Sequence, residues 1–260
     1  MNEADTCRTL VVPKLQAAGW DREPARISEQ VTFTDGRIFV VGQTARRRPG
    51  KRADFILRYR PDMPLAVVEA KPKGSPVGEG MQQSKQYAEI LGLKFAYSTN
   101  GDEIAEFDYL TGKERILAAY PTPEVLWARL CKAGKISPQA AEGLLTPAYH
   151  LSGKSPRYYQ EIAINRAVES VLQGKRRILL TMATGTGKTV VAFQICWKLA
   201  QARWNREGAY RRPRIATLLR CQRAQLNQRA SNTVAAAKSG GIVGAVLIGA
   251  LEAGKYLFGK

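Results

Sequence analysis

The spacing of apolar and polar positions changes period several times along the chain, and each change marks an element. Residues 3–19 have helical spacing, with Asp5 as the expected N-cap, Pro13 kinking the middle and Gly19 ending the helix. Short apolar stretches follow at 31–33 and 38–41, on either side of the turn Thr34-Asp35-Gly36, and predict a hairpin. The basic run 44–52 reads as a loop. Two more strands are predicted at 53–59 and 65–70. Helical spacing returns over 79–91, where Met81, Tyr87, Ile90 and Leu91 gather on or near one face. Strands at 95–98 and 104–109 complete a compact α/β unit ending near residue 118.

Beyond it the pattern is mostly helical. Helices are predicted at 123–133 and 138–145, a linker at 151–156 and another helix at 159–173. The apolar run 178–181 then reads as a buried strand, followed by a glycine-rich loop and a helix at about 188–203.

Composition narrows the classes. At 260 residues and 45% hydrophobic, the chain can bury a core, which excludes global disorder. A net charge of +18 favours a polyanionic partner, nucleic acid ahead of a membrane surface, although a basic surface also serves solubility alone. Residues 201–260 carry eleven Lys or Arg against Glu207 and Glu252. The cysteines Cys7, Cys131, Cys196 and Cys221 form no CxxC pair, and His150 is the single histidine, which argues against zinc. No signal-peptide pattern opens the chain, and the apolar run 240–251 is too short to span a bilayer easily. The expectation is a soluble, cytoplasmic protein with no membrane partner.

Two groups of residues carry chemistry. Asp54 opens one predicted strand and Glu69 lies near the end of the next, fifteen residues later. Neighbouring strands would bring both carboxylates to one sheet edge, where they suit Mg²⁺, a hard cation. Lys71 shares the strand face of Glu69, while Val68 and Ala70 point the other way. Its ammonium would orient an attacking water and offset charge on a phosphate. Gln83 and Tyr87, four apart, share one helix face. The chance alternative for these residues is a set of solvated surface groups. The basic run 46–52 suits a nucleic-acid backbone, or is an ordinary solvated turn.

The second group is Met182-Ala183-Thr184-Gly185-Thr186-Gly187-Lys188-Thr189, a Walker A loop between a predicted strand and helix. Its backbone, through Thr184, Gly185, Thr186 and Gly187, would wrap the phosphates of ATP. Lys188 would reach the β- and γ-phosphates, and the Thr189 hydroxyl would bind Mg²⁺. Upstream, Arg157-Tyr158-Tyr159-Gln160 looks like an adenine-reading element with Gln160 on the base. The alternative for Gln160 is an exposed helix residue.

The layout Asp54, Glu69-Ala70-Lys71, Gln83 and Tyr87 resembles the PD-(D/E)xK nucleases, with Ala53 where proline is usual. The two groups together resemble the restriction (R) subunit of type I restriction enzymes over residues 1 to about 215. That resemblance implies a restriction-endonuclease-like mixed sheet with flanking helices, followed by a partial RecA-like P-loop domain. It implies a Mg²⁺-dependent nuclease domain over 1–120, a helical connector over 121–155 and the start of a helicase-like ATP-binding domain over 156–215. Asp54, Glu69, Lys71, Gln83 and Tyr87 become the nuclease site, with Asp54, Glu69 and Thr189 as metal ligands. The implied partners are double-stranded DNA and the methylation and specificity subunits, whose contacts a truncated chain is expected to lose. Members of the family are several times longer. No Asp or Glu occurs between Gly208 and Leu251, where an acidic motor motif is expected. Residues 216–260 therefore read as an atypical tail, from a reading frame disrupted near residue 215 rather than from a deliberate fragment or a divergent DNA-binding tail. A catalytically inactive remnant that only binds DNA or nucleotide is the competing function.

Overall fold

A computed structural model describes residues 2–34, 38–41, 44–47, 50–149, 156–175 and 177–207. The chain divides into two units, Met1–Ser137 with Arg157–Ile162, and Pro138–Pro156 with Ala163–Lys260. His150, most of the predicted linker and the tail 216–260 lie outside the described residues.

The first unit opens with α1 (Glu3–Thr6), a π-helical turn (Cys7–Val11) and α2 (Val12–Ala17). The N-cap is Asn2, not Asp5: its side chain accepts the Asp5 N–H at 2.8 Å. The kink expected at Pro13 takes the form of the π turn before it, where the Val12 N–H reaches back to the Cys7 carbonyl. Gly19, at φ +87°, follows the helix end as expected.

Six strands form the main sheet: β1 (Arg26–Phe33), β4 (Lys51–Arg60), β5 (Met63–Ala70), β6 (Phe95–Thr99), β7 (Ile104–Asp108) and β8 (Lys113–Leu117), in that spatial order. Among the described residues, 31–33 and 38–41 do not pair with one another as the predicted hairpin requires. Residues 31–33 belong to β1, which pairs with β4 from Arg26↔Arg58 to Phe33↔Lys51, apart from Gln30 opposite Asp54. That longer match sets Ile27 against Leu57 and Val31 against Ala53, apolar pairs that a short hairpin cannot supply. β2 (Ile38–Val41) pairs instead with β3 (Thr44–Arg47). The predicted basic loop is thus extended at both ends, as β3 and the start of β4. All neighbours in the main sheet are antiparallel except β5 and β6. A parallel pair needs a crossover, and α3 (Met81–Leu91) lies between those strands in sequence. Ala88 and Leu91 of α3 pack on Phe33, Ala53, Ile56, Val67 and Ala96 of the sheet.

β8 escaped the sequence reading because Lys113, Glu114 and Arg115 give it no apolar alternation, and its first four residues are exposed. On its neighbour, Glu106 and Asp108 are buried and bound by Arg129 of α4 (Pro123–Gly134), capped at Thr122. The start of α6 (Tyr158–Leu172) also belongs to this unit: Glu161 meets Arg58 of β4 at 2.8 Å, and the Tyr158 hydroxyl donates to the Thr34 carbonyl at 2.7 Å.

The second unit contains α5 (Pro138–Leu145), the rest of α6 and α7 (Lys188–Glu207). Buried Lys198 donates to the Leu144 carbonyl at 3.0 Å, and buried Gln194 binds both the N–H and the carbonyl of Tyr149. The strand expected at 178–181 does not form, and Leu179 is 73% exposed. A strand exists only by pairing, and no partner strand lies beside this segment among the described residues.

Candidate active site

Asp54 and Glu69 stand across the antiparallel β4–β5 pair, one step beyond Phe55↔Val68. The Ala70 N–H donates to Asp54 Oδ2 at 2.9 Å, and the Asp54 N–H makes a longer contact, 3.4 Å, with Glu69 Oε1. Lys71 follows β5, its N–H held by the Thr99 carbonyl at 2.8 Å. From α3, Gln83 reaches both Glu69 on that strand and Lys71 just beyond it. Its Oε1 accepts from Lys71 Nζ at 3.0 Å, and its Nε2 donates to Glu69 Oε2 at 2.9 Å. The same Nε2 lies 3.1 Å from the Tyr87 hydroxyl, one helical turn on. All five residues singled out in sequence therefore meet in one hydrogen-bonded cluster. Tyr87 is largely buried, its ring edge-on to Phe33 at 5.0 Å.

Burial and the charge of Asp54 push the Glu69 carboxyl up to about 8, against a weaker opposing pull from the Asp54 N–H and Lys71. Burial also raises the Tyr87 hydroxyl. The Cys7 thiol nearby is pushed up to about 12, first by burial and then by the charges of Asp54, Glu3, Glu69 and Glu29. Two buried carboxylates that repel one another, with a lysine alongside, suit a divalent cation. Among the described residues no group of three His, Cys, Asp or Glu is placed to hold a metal. The Asp54–Glu69 pair is a donor set that fits Mg²⁺, which is bound through one or two carboxylates and keeps several waters.

Sequence reasoning missed two neighbours. Gln30 Nε2 donates to Asp54 Oδ1 at 3.3 Å, and Glu3 Oε2 lies 4.0 Å from Lys71 Nζ. Both come from distant segments with no motif spacing to reveal them.

In the second unit, the loop before α7 has Gly185 and Gly187 at φ +78° and +83°, conformations glycine adopts without strain. Thr186 Oγ1 donates to the Ala183 carbonyl at 2.6 Å. Lys188 Nζ turns back on the loop, toward the carbonyls of Met182 (3.3 Å) and Ala183 (3.5 Å). Thr184 and Gly185 in the loop and Thr189 in the first turn of α7 are exposed. Gln160, in the first unit, is buried rather than exposed, and its Oε1 accepts the Arg157 N–H at 2.9 Å at the start of α6.

Comparison with known proteins narrows the class. The chain is 43% identical over 208 residues to the type I restriction enzyme EcoAI endonuclease subunit of Escherichia coli, covering 76% of this chain and 25% of the relative. A solved fragment described as an HsdR subunit of a type I restriction enzyme from Vibrio vulnificus YJ016 matches with a TM-score of 0.73 and 62% identity, covering 82% of this chain and 41% of that one. The chain is related to the endonuclease subunits of type I restriction enzymes. The EcoKI endonuclease subunit of Escherichia coli strain K12 is 26% identical over 247 residues, covering 75% of this chain and 21% of its own. Residues 153–243 match the family described as type III restriction enzyme, res subunit, which takes in the glycine loop and extends past residue 215. The chain spans about a quarter of the length of the curated endonuclease subunits it matches. The mixed α/β sheet with flanking helices agrees with the HsdR fragment. Among the described residues, no helix is long and apolar enough to cross a membrane.

Proposed function

We propose that the cluster around Asp54 and Glu69 is the Mg²⁺-dependent centre of a double-stranded DNA endonuclease. Residues 1–120 form that nuclease domain, 121–155 a helical connector and 156–215 the start of an ATP-dependent DNA translocase domain. The observation that carries the reading is the continuous bonding of Lys71, Gln83 and Glu69 opposite Asp54. Asp54 and Glu69 would hold Mg²⁺, which supplies polarisation of the scissile phosphate. The Lys71 ammonium, aimed by Gln83, orients the attacking water and offsets phosphate charge, while Tyr87 braces Gln83 from the next turn. In the second unit, the N–H groups of 184–187 would cradle the phosphates of ATP. Lys188 would exchange its two carbonyl contacts for the β- and γ-phosphates, and Thr189 would complete the Mg²⁺ site there. The partners are double-stranded DNA and, through the related assemblies, methylation and specificity subunits, in the cytoplasm.

The test is cleavage of supercoiled plasmid by the purified chain in Mg²⁺, beside Asp54→Ala and Lys71→Ala, with and without ATP. Nicking or linearisation lost in both variants supports the reading. Folded protein that binds DNA but leaves it intact under every condition favours a noncatalytic binding module.

A further inference from the structure

A carboxylate that shares a cation must be held at a fixed angle, and Asp54 presents two oxygens to fix. Its Oδ2 takes the Ala70 N–H at 2.9 Å, from the backbone of the adjoining strand. Its Oδ1 is met from the other side by the side chain of Gln30, at 3.3 Å. The route by which Gln30 arrives there is unusual. β1 and β4 keep one antiparallel register from Arg26↔Arg58 to Phe33↔Lys51, and the pairing lapses only between Glu29↔Phe55 and Val31↔Ala53. The residues at that lapse are Gln30 and Asp54. There the backbone of Gln30 turns to φ +51°. A side chain disfavours this left-handed conformation, which glycine and asparagine tolerate far better. Strain of this kind persists where the surroundings impose it, and it gathers at functional sites. A residue serving only to turn the strand is better made as glycine. A long neutral carboxamide adds reach to Asp54 without adding charge beside two buried carboxylates.

We propose that Gln30 is a positioning residue: the break in the β1–β4 ladder exists to bring its carboxamide onto Asp54 Oδ1 and aim that carboxylate at the cation shared with Glu69. The inference rests on the two-carboxylate Mg²⁺ site proposed above.

The experiment uses the full chain in three forms beside wild type: Gln30→Gly, Gln30→Asn and Asp54→Ala. Mg²⁺ binding is measured by calorimetry, and thermal unfolding is followed without divalent cation. Gln30→Gly relieves the backbone and deletes the amide; Gln30→Asn keeps an amide that is one methylene too short. The expected result is an unfolding temperature equal to or above wild type in both, with Mg²⁺ affinity lowered about tenfold, the lower end of the effect of losing a residue that orients a metal ligand. Wild-type affinity in a folded Gln30→Gly or Gln30→Asn chain overturns the proposal, whatever the unfolding temperature does. Should Gln30→Gly fail to fold, Gln30→Asn decides by the same criterion. Mg²⁺ binding by wild type that is lost in Asp54→Ala but kept in the Gln30 variants sinks this inference alone. No binding by wild type, or unaltered binding by Asp54→Ala, sinks the two-carboxylate site and the inference with it.

Discussion

Gln83 Nε2 lies 2.9 Å from Glu69 Oε2, and this contact, made from α3 to the end of β5, ties the helix to the carboxylate pair. The Lys71 ammonium, which can only donate, dictates how the amide is turned. The amide N–H faces the carboxylate, and its oxygen faces the Lys71 ammonium at 3.0 Å. Gln83→Ala releases both groups at once. The expected loss of plasmid cleavage is about 10- to 100-fold, the usual range for residues that orient metal ligands. Circular dichroism should show an unchanged fold. Gln83→Glu keeps the size but places a third carboxylate against Glu69, and should lose more activity than Gln83→Ala. Equal rates for wild type and Gln83→Ala would remove this residue from the site.

Glu69 makes cation binding depend on pH. With its carboxyl pushed up to about 8 by burial and by Asp54, the cation-free site carries a proton at neutral pH that Mg²⁺ must displace. Mg²⁺ affinity should therefore rise with pH up to about 8 and then level. Calorimetry in two buffers of different ionisation enthalpy should show proton release at pH 7 that fades above pH 8.5, and Glu69→Gln should remove both effects. The sign for folding is opposite to that of an ordinary paired carboxylate. Between the reference value of 4.5 and about 8 the folded chain holds a proton that the unfolded chain has lost, so this group's contribution to stability declines as pH rises through that window. Without cation, the unfolding temperature of wild type should fall relative to Glu69→Gln from pH 5 to pH 8.

Gly80 sets how closely α3 approaches the lysine. A Cβ there would lie 2.7 Å from Ser98 Oγ and 3.3 Å from Lys71 Cε. Ser98 cannot simply swing away, because its hydroxyl donates to the Val77 carbonyl at 2.6 Å. Gly80→Ala should therefore displace the Lys71 stem and slow cleavage. Gly80→Ala with Ser98→Ala clears the nearest clash and should recover part of the rate. A Gly80→Ala chain that cuts like wild type would show that the stem has room to move.

These residues also show what a sequence can disclose. Asp54, Glu69 and Lys71 were legible because two adjoining strands convert linear spacing into proximity, and Gln83 and Tyr87 because a helix does the same at four residues. Gln30 and Glu3 were not, since their approach depends on β1 pairing with β4 and on the N-terminal helical segment. β8 was hidden for another reason: its charged residues are paired from outside, Arg115 with Glu106 and Glu114 with Lys85. The run 178–181 was misread because apolar composition signals burial, whereas a strand needs a neighbour.

Arg129 secures the far edge of the same sheet. Its guanidinium binds both Glu106 and Asp108 and lies over the Phe95 ring, 4.5 Å from the centroid. Both carboxylates are buried, Glu106 wholly. Removing the cation strands them, and the remaining contact from Arg115 is half exposed. Breaking a buried pair costs about 3–5 kcal/mol, and the partial exposure of Arg129 places Arg129→Ala at about the lower end. Urea unfolding of the first unit should show a lower midpoint at unchanged slope. Arg129→Ala with Glu106→Gln should recover part of the loss, because one stranded charge is then gone.

Lys188 offers a test of the second unit that does not depend on DNA cutting. Its ammonium rests on the carbonyls of Met182 and Ala183, contacts of 3.3 and 3.5 Å that are long for a charged donor. Such contacts are readily exchanged for phosphate oxygens, which return a full negative charge. A ligand that binds only the folded state stabilises it by about 2.7 kcal/mol at a hundred times its Kd. Saturating Mg²⁺-ATP should therefore raise the unfolding temperature of the wild-type chain, and Lys188→Ala should abolish most of that rise while leaving the nucleotide-free transition in place. Thr189→Ala should weaken the rise only when Mg²⁺ is present, since its hydroxyl is proposed to act through the cation. A shift of full size in Lys188→Ala would place nucleotide binding elsewhere than this loop.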